Sequence, residues 1–361
     1  MKILVYSNCP LDPALGSGKT RVRFSEGLRT RGHSVRVIEP ATVRLWPQLR
    51  AGHRFRLALG ALRHAQRTLA QQPWDMVVIQ GGEFGWLARW LARRSPRPRL
   101  VHYTDGCELL AGESTSPRPF LFRLHRALDR AAFRWVDGCI SVSGQDCRYL
   151  VETRCLPAVR VRCVPPGLDE EFLVHPAPGP RAPRLVFLGS WIDRKGIAEL
   201  VPSATALLTQ YPQLELDLLG TARSEAELRE CFPALVRPRV HGAGLLSTAE
   251  LARRLTRASI FVLPARYEGF GMATAEAMAC GCAVVTTPTG FGADLQDGVN
   301  ALRVPFQSPD ALTRALARLT TDDGLRHRLA IAGWQTVQTF AWSQRIDQLE
   351  TIYREWHQFP P

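Results

Sequence analysis

Two glutamates with seven residues between them, Glu268 and Glu276, bracket the step Gly269-Phe270-Gly271-Met272 inside the stretch SIFVLPARYEGFGMATAEAMACGCAVVTT, Ser259 to Thr287. Glycines at 269 and 271 let the backbone come close to a ligand, and a helix starting behind them presents N–H groups with no partner in the helix. Together these make an anion site. The two carboxylates flank that cradle and can accept hydrogen bonds from sugar hydroxyls. An E-x7-E pair says little alone. Its setting, with a strand before it and a glycine-led helix start between the acids, points to binding of a phosphate-bearing sugar.

The elements that must hold these groups can be read from the apolar pattern. Ser259 to Leu263 is β-branched and apolar enough for a buried parallel strand, which Pro264 stops. A helix is expected from Met272 to about Ala279, with Gly281 as terminator, and a second strand from Cys282 to Thr287. This is a βαβ unit of the kind found in nucleotide-binding sheets. A second such unit opens the chain: a strand from Lys2 to Tyr6, a loop from Pro10 to Gly18 and a helix from Thr20 to Thr30. The string Gly16-Ser17-Gly18-Lys19-Thr20 is not a P-loop, because G-x-x-x-x-G-K-[ST] requires glycine where Pro13 stands. Trp74 to Gln80, Arg99 to Asp105, Arg184 to Gly189 and Leu214 to Gly220 read as further strands.

A chain of 361 residues exceeds what one core usually holds, so two domains are expected. The proline-rich run His175 to Pro180 reads as the linker, dividing the chain into residues 1–175 and 176–341. The apolar run at the start is too short for a signal-peptide core, and no stretch reaches the length of a membrane span, so a cytoplasmic protein is expected. Nine cysteines, an odd number, argue for reduced thiols. Four of them, Cys139, Cys147, Cys155 and Cys163, recur every eight residues, which is no metal-ligand spacing, and there is no D-x-D motif. No metal or resident cofactor is expected.

Charge is uneven. Residues 1 to 175 hold 27 Lys/Arg against 15 Asp/Glu, and residues 176 to 361 hold 19 against 18. The basic half suggests an anionic partner: a membrane surface, a lipid-linked phosphate or an acidic glycan, with no sign of nucleic-acid binding. Residues 41 to 71 carry six arginines and no acid. From Phe55 onward, Leu59, Leu62 and Leu69 share one helical face and Arg56, Arg63 and Arg67 an adjacent one. That basic amphipathic helix either packs its apolar face on the sheet with its arginines solvated, or turns the arginines to an anionic surface.

The stretch around Glu268 resembles glycosyltransferase family 4, retaining enzymes with the GT-B fold. The resemblance implies an α/β protein of two Rossmann-like domains with parallel sheets facing a central cleft, the last helix, about 342–361, packing back on the first domain. It implies transfer of a sugar from a UDP-, GDP- or ADP-sugar to a glycan or lipid-linked acceptor, with retention and without metal. The protein would work in cell-envelope or glycoconjugate synthesis, at the inner face of the cell membrane if peripheral. By resemblance Glu268 touches the transferred sugar, Glu276 holds the ribose, and the amides from Gly269 to Met272 bind diphosphate and sugar. Gly16 and Gly18 match the family's first glycine loop, and the loop 241–246, with Gly244 and Leu245, its nucleobase contact. Lys195 matches the lysine that reaches the diphosphate, whereas Ser190 replaces the usual arginine. The neighbouring Arg194 either supplies that charge or faces solvent. Where the family often shows a His-Asp pair on the acceptor side, this chain has Thr104-Asp105, with His102 on the same strand face as Thr104. Of the three, Asp105 stands at the strand's C-terminal end, where ligands of open α/β sheets bind. The two departures, Thr104 and Ser190, would also fit a partner subunit that binds sugar nucleotides without catalysis.

Overall fold

The structure, a computed structural model, describes residues 1–12, 16–46, 48–49, 52–106 and 129–358. It divides the chain into two compact units, Met1–Gly167 with Trp342–Pro361, and Leu168–Ala341.

The first unit is built on six parallel strands: β1 (Lys2–Tyr6), β2 (Ser34–Ile38), β3 (Met76–Ile79), β4 (Arg99–Thr104), β5 (Gly138–Ser141) and β6 (Val161–Cys163), ordered β2-β1-β3-β4-β5-β6. Helices cover both faces, so central strands such as β3, MVVI, are buried at every position. The edge strand β2 alternates, with Ser34 and Arg36 exposed. Tyr6, Val77, Ile79, Leu57, Phe84 and Leu87 belong to the core on one side. The order reverses between β1 and β3, so the loops leaving these two strands diverge and open a crevice at their C-terminal ends.

The second unit repeats the plan with β7 (Leu185–Leu188), β8 (Leu216–Leu219), β9 (Val240–Ala243), β10 (Ile260–Leu263), β11 (Ala283–Thr286) and β12 (Leu302–Arg303), ordered β12-β11-β10-β7-β8-β9 and all parallel. Its reversal lies between β7 and β10. Among the described residues no helix is long and apolar enough to cross a membrane.

Three sequence expectations are corrected here. The first helix runs Gly16–Thr30, so Gly16 and Gly18 form its opening turn rather than a loop before it. Glycine is needed at 18 because a Cβ there would run into the backbone oxygen of Asp12. The helix His53–Gln71 buries Arg56, Leu57, Ala61, Ala65 and Thr68 and packs Leu62 and Leu69 partly buried against the same core, while Phe55 is exposed, so the buried face overlaps the leucine face read in the sequence but is centred beside it. Arg56 is not solvated: its guanidinium donates to the backbone oxygens of Trp46 and Leu49, closing the turn before the helix. Finally, the units divide at Gly167/Leu168 and not in the proline run, because Leu168 donates its N–H to the Phe340 oxygen at 2.7 Å and bridges Ala341.

The terminal helix Trp342–Gln358 belongs to the first unit and completes its core. Two glycines let it approach: a Cβ on Gly138 of β5 would lie 2.6 Å from the Trp356 ring, and one on Gly27 would strike Ile346. His33 holds Glu350 at 2.9 Å, and Phe24 meets Trp342 edge-on at 5.5 Å. Because the Trp356 side chain is buried against β5, Trp356→Ala is expected to lower the stability of the first unit by about 3–5 kcal/mol. The loss should appear as faster hydrogen exchange of the β5 amides; unchanged protection would mean that the helix docks without contributing to that core.

Candidate active site

In the second unit the decisive side chains leave the ends of β7 and β10, the strands that flank the reversal. After β7 the chain turns through the short helix Asp193–Lys195 to Gly196, whose φ of 75° lies in the left-handed region. A Cβ at 196 would collide with the backbone oxygen of Pro264, which begins the loop after β10. Glycine therefore lets the two loops touch. They are joined by a backbone hydrogen bond from Arg266 N–H to the Arg194 oxygen at 2.8 Å, and by Arg266 reaching the buried Glu199 at 3.2 Å. Neither Arg266 nor Glu199 stood out in the sequence, since nothing local marks a pair 67 residues apart.

This docking brings Lys195 Nζ to 2.7 Å from Glu268 Oε1, with both side chains mostly buried. The contact is an ion pair and not a well-directed hydrogen bond. Arg194 is 42% exposed, yet its Nη1 donates to the Tyr267 oxygen at 2.8 Å and lies 3.6 Å from Glu268 Oε1. Arg194 is thus partly exposed and adds positive charge beside Glu268.

The loop is braced from behind. Glu268 donates its N–H to Thr289 Oγ1 at 2.9 Å, and Phe291 donates its N–H to the Phe270 oxygen at 2.6 Å. Gly290, with φ of 55°, sits so close that a Cβ would lie 2.5 Å from the Phe270 oxygen. Gly271, φ 96°, caps the helix Met272–Ala279, and Glu276 is buried within it. Glu268, Gly269, Phe270, Gly271, Met272, Lys195 and Arg194 are therefore gathered at one place. Leu245, by contrast, is 79% exposed in the loop after β9, next to Gly244, which accepts from Gly220 N–H at 3.2 Å.

In the first unit the three acceptor-side candidates separate. His102 points into the core, against the Phe133 ring at 4.8 Å and 3.9 Å from Cys139 Sγ. Burial pushes its imidazole down to about 4, so it is neutral at pH 7. Thr104 is spent on its own turn, donating to the Gly106 oxygen at 2.7 Å. Asp105 stands beyond the end of β4, paired with Arg21. Arg21, Asn8 and Gln80 meet at this rim and were not singled out in the sequence; a lone arginine in the middle of a helix carries no signal of its own.

Models of "Glycosyltransferase Family 4" and "Glycosyl transferases group 1" match residues 16–172 and 182–322, which between them cover most of both units. The chain is a family 4 glycosyltransferase. Two relatives of this glycosyltransferase are the phosphatidyl-myo-inositol mannosyltransferase of Mycobacterium tuberculosis, 24% identical over 92% of this chain and 91% of that one, and the D-inositol 3-phosphate glycosyltransferase of Kineococcus radiotolerans, 25% identical over 81% and 74%. Among solved structures it shares the GT-B fold of sucrose-phosphate synthase from Thermosynechococcus elongatus, with a TM-score of 0.80, 21% identity and 98% of both chains covered. The Anabaena HepE protein in complex with UDP-glucose has a TM-score of 0.72 at 17% identity, covering 98% of this chain and all of that one.

The position of His102 predicts an acid sensitivity. The unfolded chain takes up its proton near 6.5, while the folded protein holds it off until about 4, so stability is full above 6.5 and is lost as pH falls through that window. The group accounts for roughly 2–4 kcal/mol of that loss. Equilibrium unfolding of His102→Gln between pH 7 and pH 4 should show a flatter dependence than wild type. An unaltered slope would assign the sensitivity to another group.

Proposed function

We propose that this glycosyltransferase takes a nucleoside-diphosphate sugar on its second unit and transfers the sugar, with retention and without metal, to a hydroxyl of an anionic, inositol-type or lipid-linked acceptor taken by the first. The observation that carries the donor half is the Lys195–Glu268 pair held beside the glycine-capped start of the helix Met272–Ala279. A departing diphosphate gains negative charge, which two cations and helix N–H groups can stabilise without a metal ion. Lys195 and Arg194 stand ready for the phosphates, and a diphosphate would compete with Glu268 for the ammonium, leaving the carboxylate to accept a hydrogen bond from the sugar. Glu276 is assigned to the ribose, Gly244 and Leu245 to the base. The leaving phosphate itself takes the acceptor's proton on the same face, so no protein nucleophile is required.

Support for the acceptor half comes from two sides. The relatives named above act, by name, on phosphatidyl-myo-inositol and on D-inositol 3-phosphate, both anionic. In the first unit, Phe55 and Trp86 meet edge-on at 5.2 Å and both are exposed, as are Trp46 and Leu49 in the turn that Arg56 closes. Arg63 and Arg67 are exposed on the same helix as Phe55. Exposed aromatic rings and exposed arginines on one helix suit the surface of an anionic bilayer at the inner face of the cell membrane.

Thermal stabilisation by UDP, GDP and ADP, with turnover of their hexose conjugates, tests the donor reading and identifies the base. Glu276→Ala should weaken binding of the stabilising nucleotide by about 1.5–3 kcal/mol, and Lys195→Ala should lower kcat at saturating donor as well as affinity. If calorimetry finds wild-type affinity in Glu276→Ala, the ribose assignment is wrong. For the surface, binding to phosphatidylglycerol vesicles should appear at low salt, weaken as salt rises, and be largely lost in a folded variant with Phe55→Ser, Trp86→Ser, Arg63→Glu and Arg67→Glu. Vesicles ignored by wild type at low salt would remove the membrane from the proposal.

A further inference from the structure

At the reversal between β1 and β3, Arg21 is almost wholly buried, its side chain 3% exposed. Its guanidinium is used on every side. Nε donates to Gln80 Oε1, Nη1 to Cys9 Sγ at 2.8 Å and Nη2 to Asn8 Oδ1 at 2.9 Å, and Nη2 also pairs with Asp105 Oδ2. These partners leave the C-terminal ends of β1, β3 and β4, three neighbouring strands. Of the four, Gln80 and Asn8 carry no charge, and among the described residues Asp105 is the one carboxylate in contact with the cation. The Asp105 side chain is 24% exposed and so lies at the rim, above the arginine.

Two opposed influences act on this carboxylate. Burial, the larger of the two, pushes Asp105 up from the ordinary aspartate value, and Arg21 brings it part of the way back through charge and hydrogen bonding, so the carboxyl stays raised. Other titratable groups among the described residues here are Cys9, on the arginine, Glu83, whose carboxylate shares the space over Gly81 with the Asn8 amide, and Tyr103, two residues back on β4, whose buried hydroxyl is pushed up by burial first and by Asp105 second. None of the three supplies positive charge. Arg21 thus counteracts part of the rise at Asp105, and its guanidinium, fixed by Asn8 and Gln80, holds Asp105 by one oxygen, Oδ2.

We infer that Arg21 is a positioning residue for acceptor recognition: through its contact with Oδ2 it holds Asp105 in place at the rim of the first sheet, where the carboxylate accepts a hydrogen bond from a hydroxyl of the incoming acceptor. This rests on the reading that the first unit takes a hydroxyl acceptor. The residue touches no substrate itself and acts through Asp105.

The test pairs a titration with kinetics. Carboxyl-13C NMR of aspartate-labelled protein, with the Asp105 signal assigned through Asp105→Asn, should show the Asp105 midpoint rising by about one unit or more in Arg21→Met and returning in Arg21→Lys. With D-inositol 3-phosphate as acceptor, KM at pH 7 should rise about tenfold in Arg21→Met while kcat changes far less, and the pH profile of KM should move with the midpoint. Lysine restores charge but not the fork, so Arg21→Lys should keep a KM several times the wild-type value. A folded Arg21→Met whose midpoint is unmoved, or whose midpoint moves without KM, overturns the role. Should Arg21→Met fail to fold, Arg21→Lys decides the matter, and a wild-type KM there is the contrary result. If wild type transfers to neither D-inositol 3-phosphate nor phosphatidylinositol, the acceptor reading falls and takes the recognition role with it. An unmoved midpoint in an active enzyme removes Arg21 alone.

Discussion

One backbone hydrogen bond, from Arg266 N–H to the Arg194 oxygen at 2.8 Å, keeps two loops of the second unit together, and the charged part of the candidate active site depends on it. The loops leave strands on either side of the sheet's reversal, where the fold by itself would let them part. Gly196 and Gly290 supply the close approaches that side chains would forbid, one against Pro264 and the other against Phe270. With the loops locked, an ammonium and a carboxylate face each other across 2.7 Å. The ordering of such a pair of side chains is completed on folding, so a ligand that used it would not have to order it on binding.

The same topological device recurs in the first unit with a different filling. At the β1/β3 reversal the polar groups converge on a buried guanidinium, so a cation lies below and a carboxylate above. In the second unit the ammonium and the carboxylate are both mostly buried. A buried arginine with a single acid partner is costly unless its remaining donors are satisfied, and here Asn8, Gln80 and Cys9 satisfy them. That cost makes the arrangement more than a surface salt bridge, whose contribution would be small.

Sequence and structure diverged most along residues 41–71. Counting apolar positions placed Phe55 with the leucines on one face and Arg56 with Arg63 and Arg67 on the next. The helix in fact turns Leu57, Ala61 and Ala65 inward, exposes Phe55 and uses Arg56 as a clamp on the preceding turn. A helix with small residues on one side and leucines on another offers two plausible buried faces, and the choice belongs to the surface it packs against. The glycines at 16 and 18 misled for a related reason. Glycine was taken as the mark of a loop, whereas at 18 it was needed for contact with Asp12 across the helix's first turn.

What the sequence determined by itself was whatever is local in the chain: the alternation of buried strands and helices, the glycine-capped start at Met272 with its two glutamates, and the uneven distribution of charge. These follow from backbone sterics and from the burial of apolar side chains over a few residues, so they are written in short windows. Only the tertiary structure decided which distant groups meet. Lys195 finds Glu268 across 73 residues, Arg266 finds Glu199, and Arg21 finds Asp105, in each case because parallel strands bring their C-terminal ends to one edge whatever their order in the chain. His102 and Asp105 show the division within a single strand. Three residues apart, one is driven into the core as a neutral ring and the other is held at the rim as an ion pair, because the β4 strand ends between them and a strand's end is where its side chains leave the packed layer.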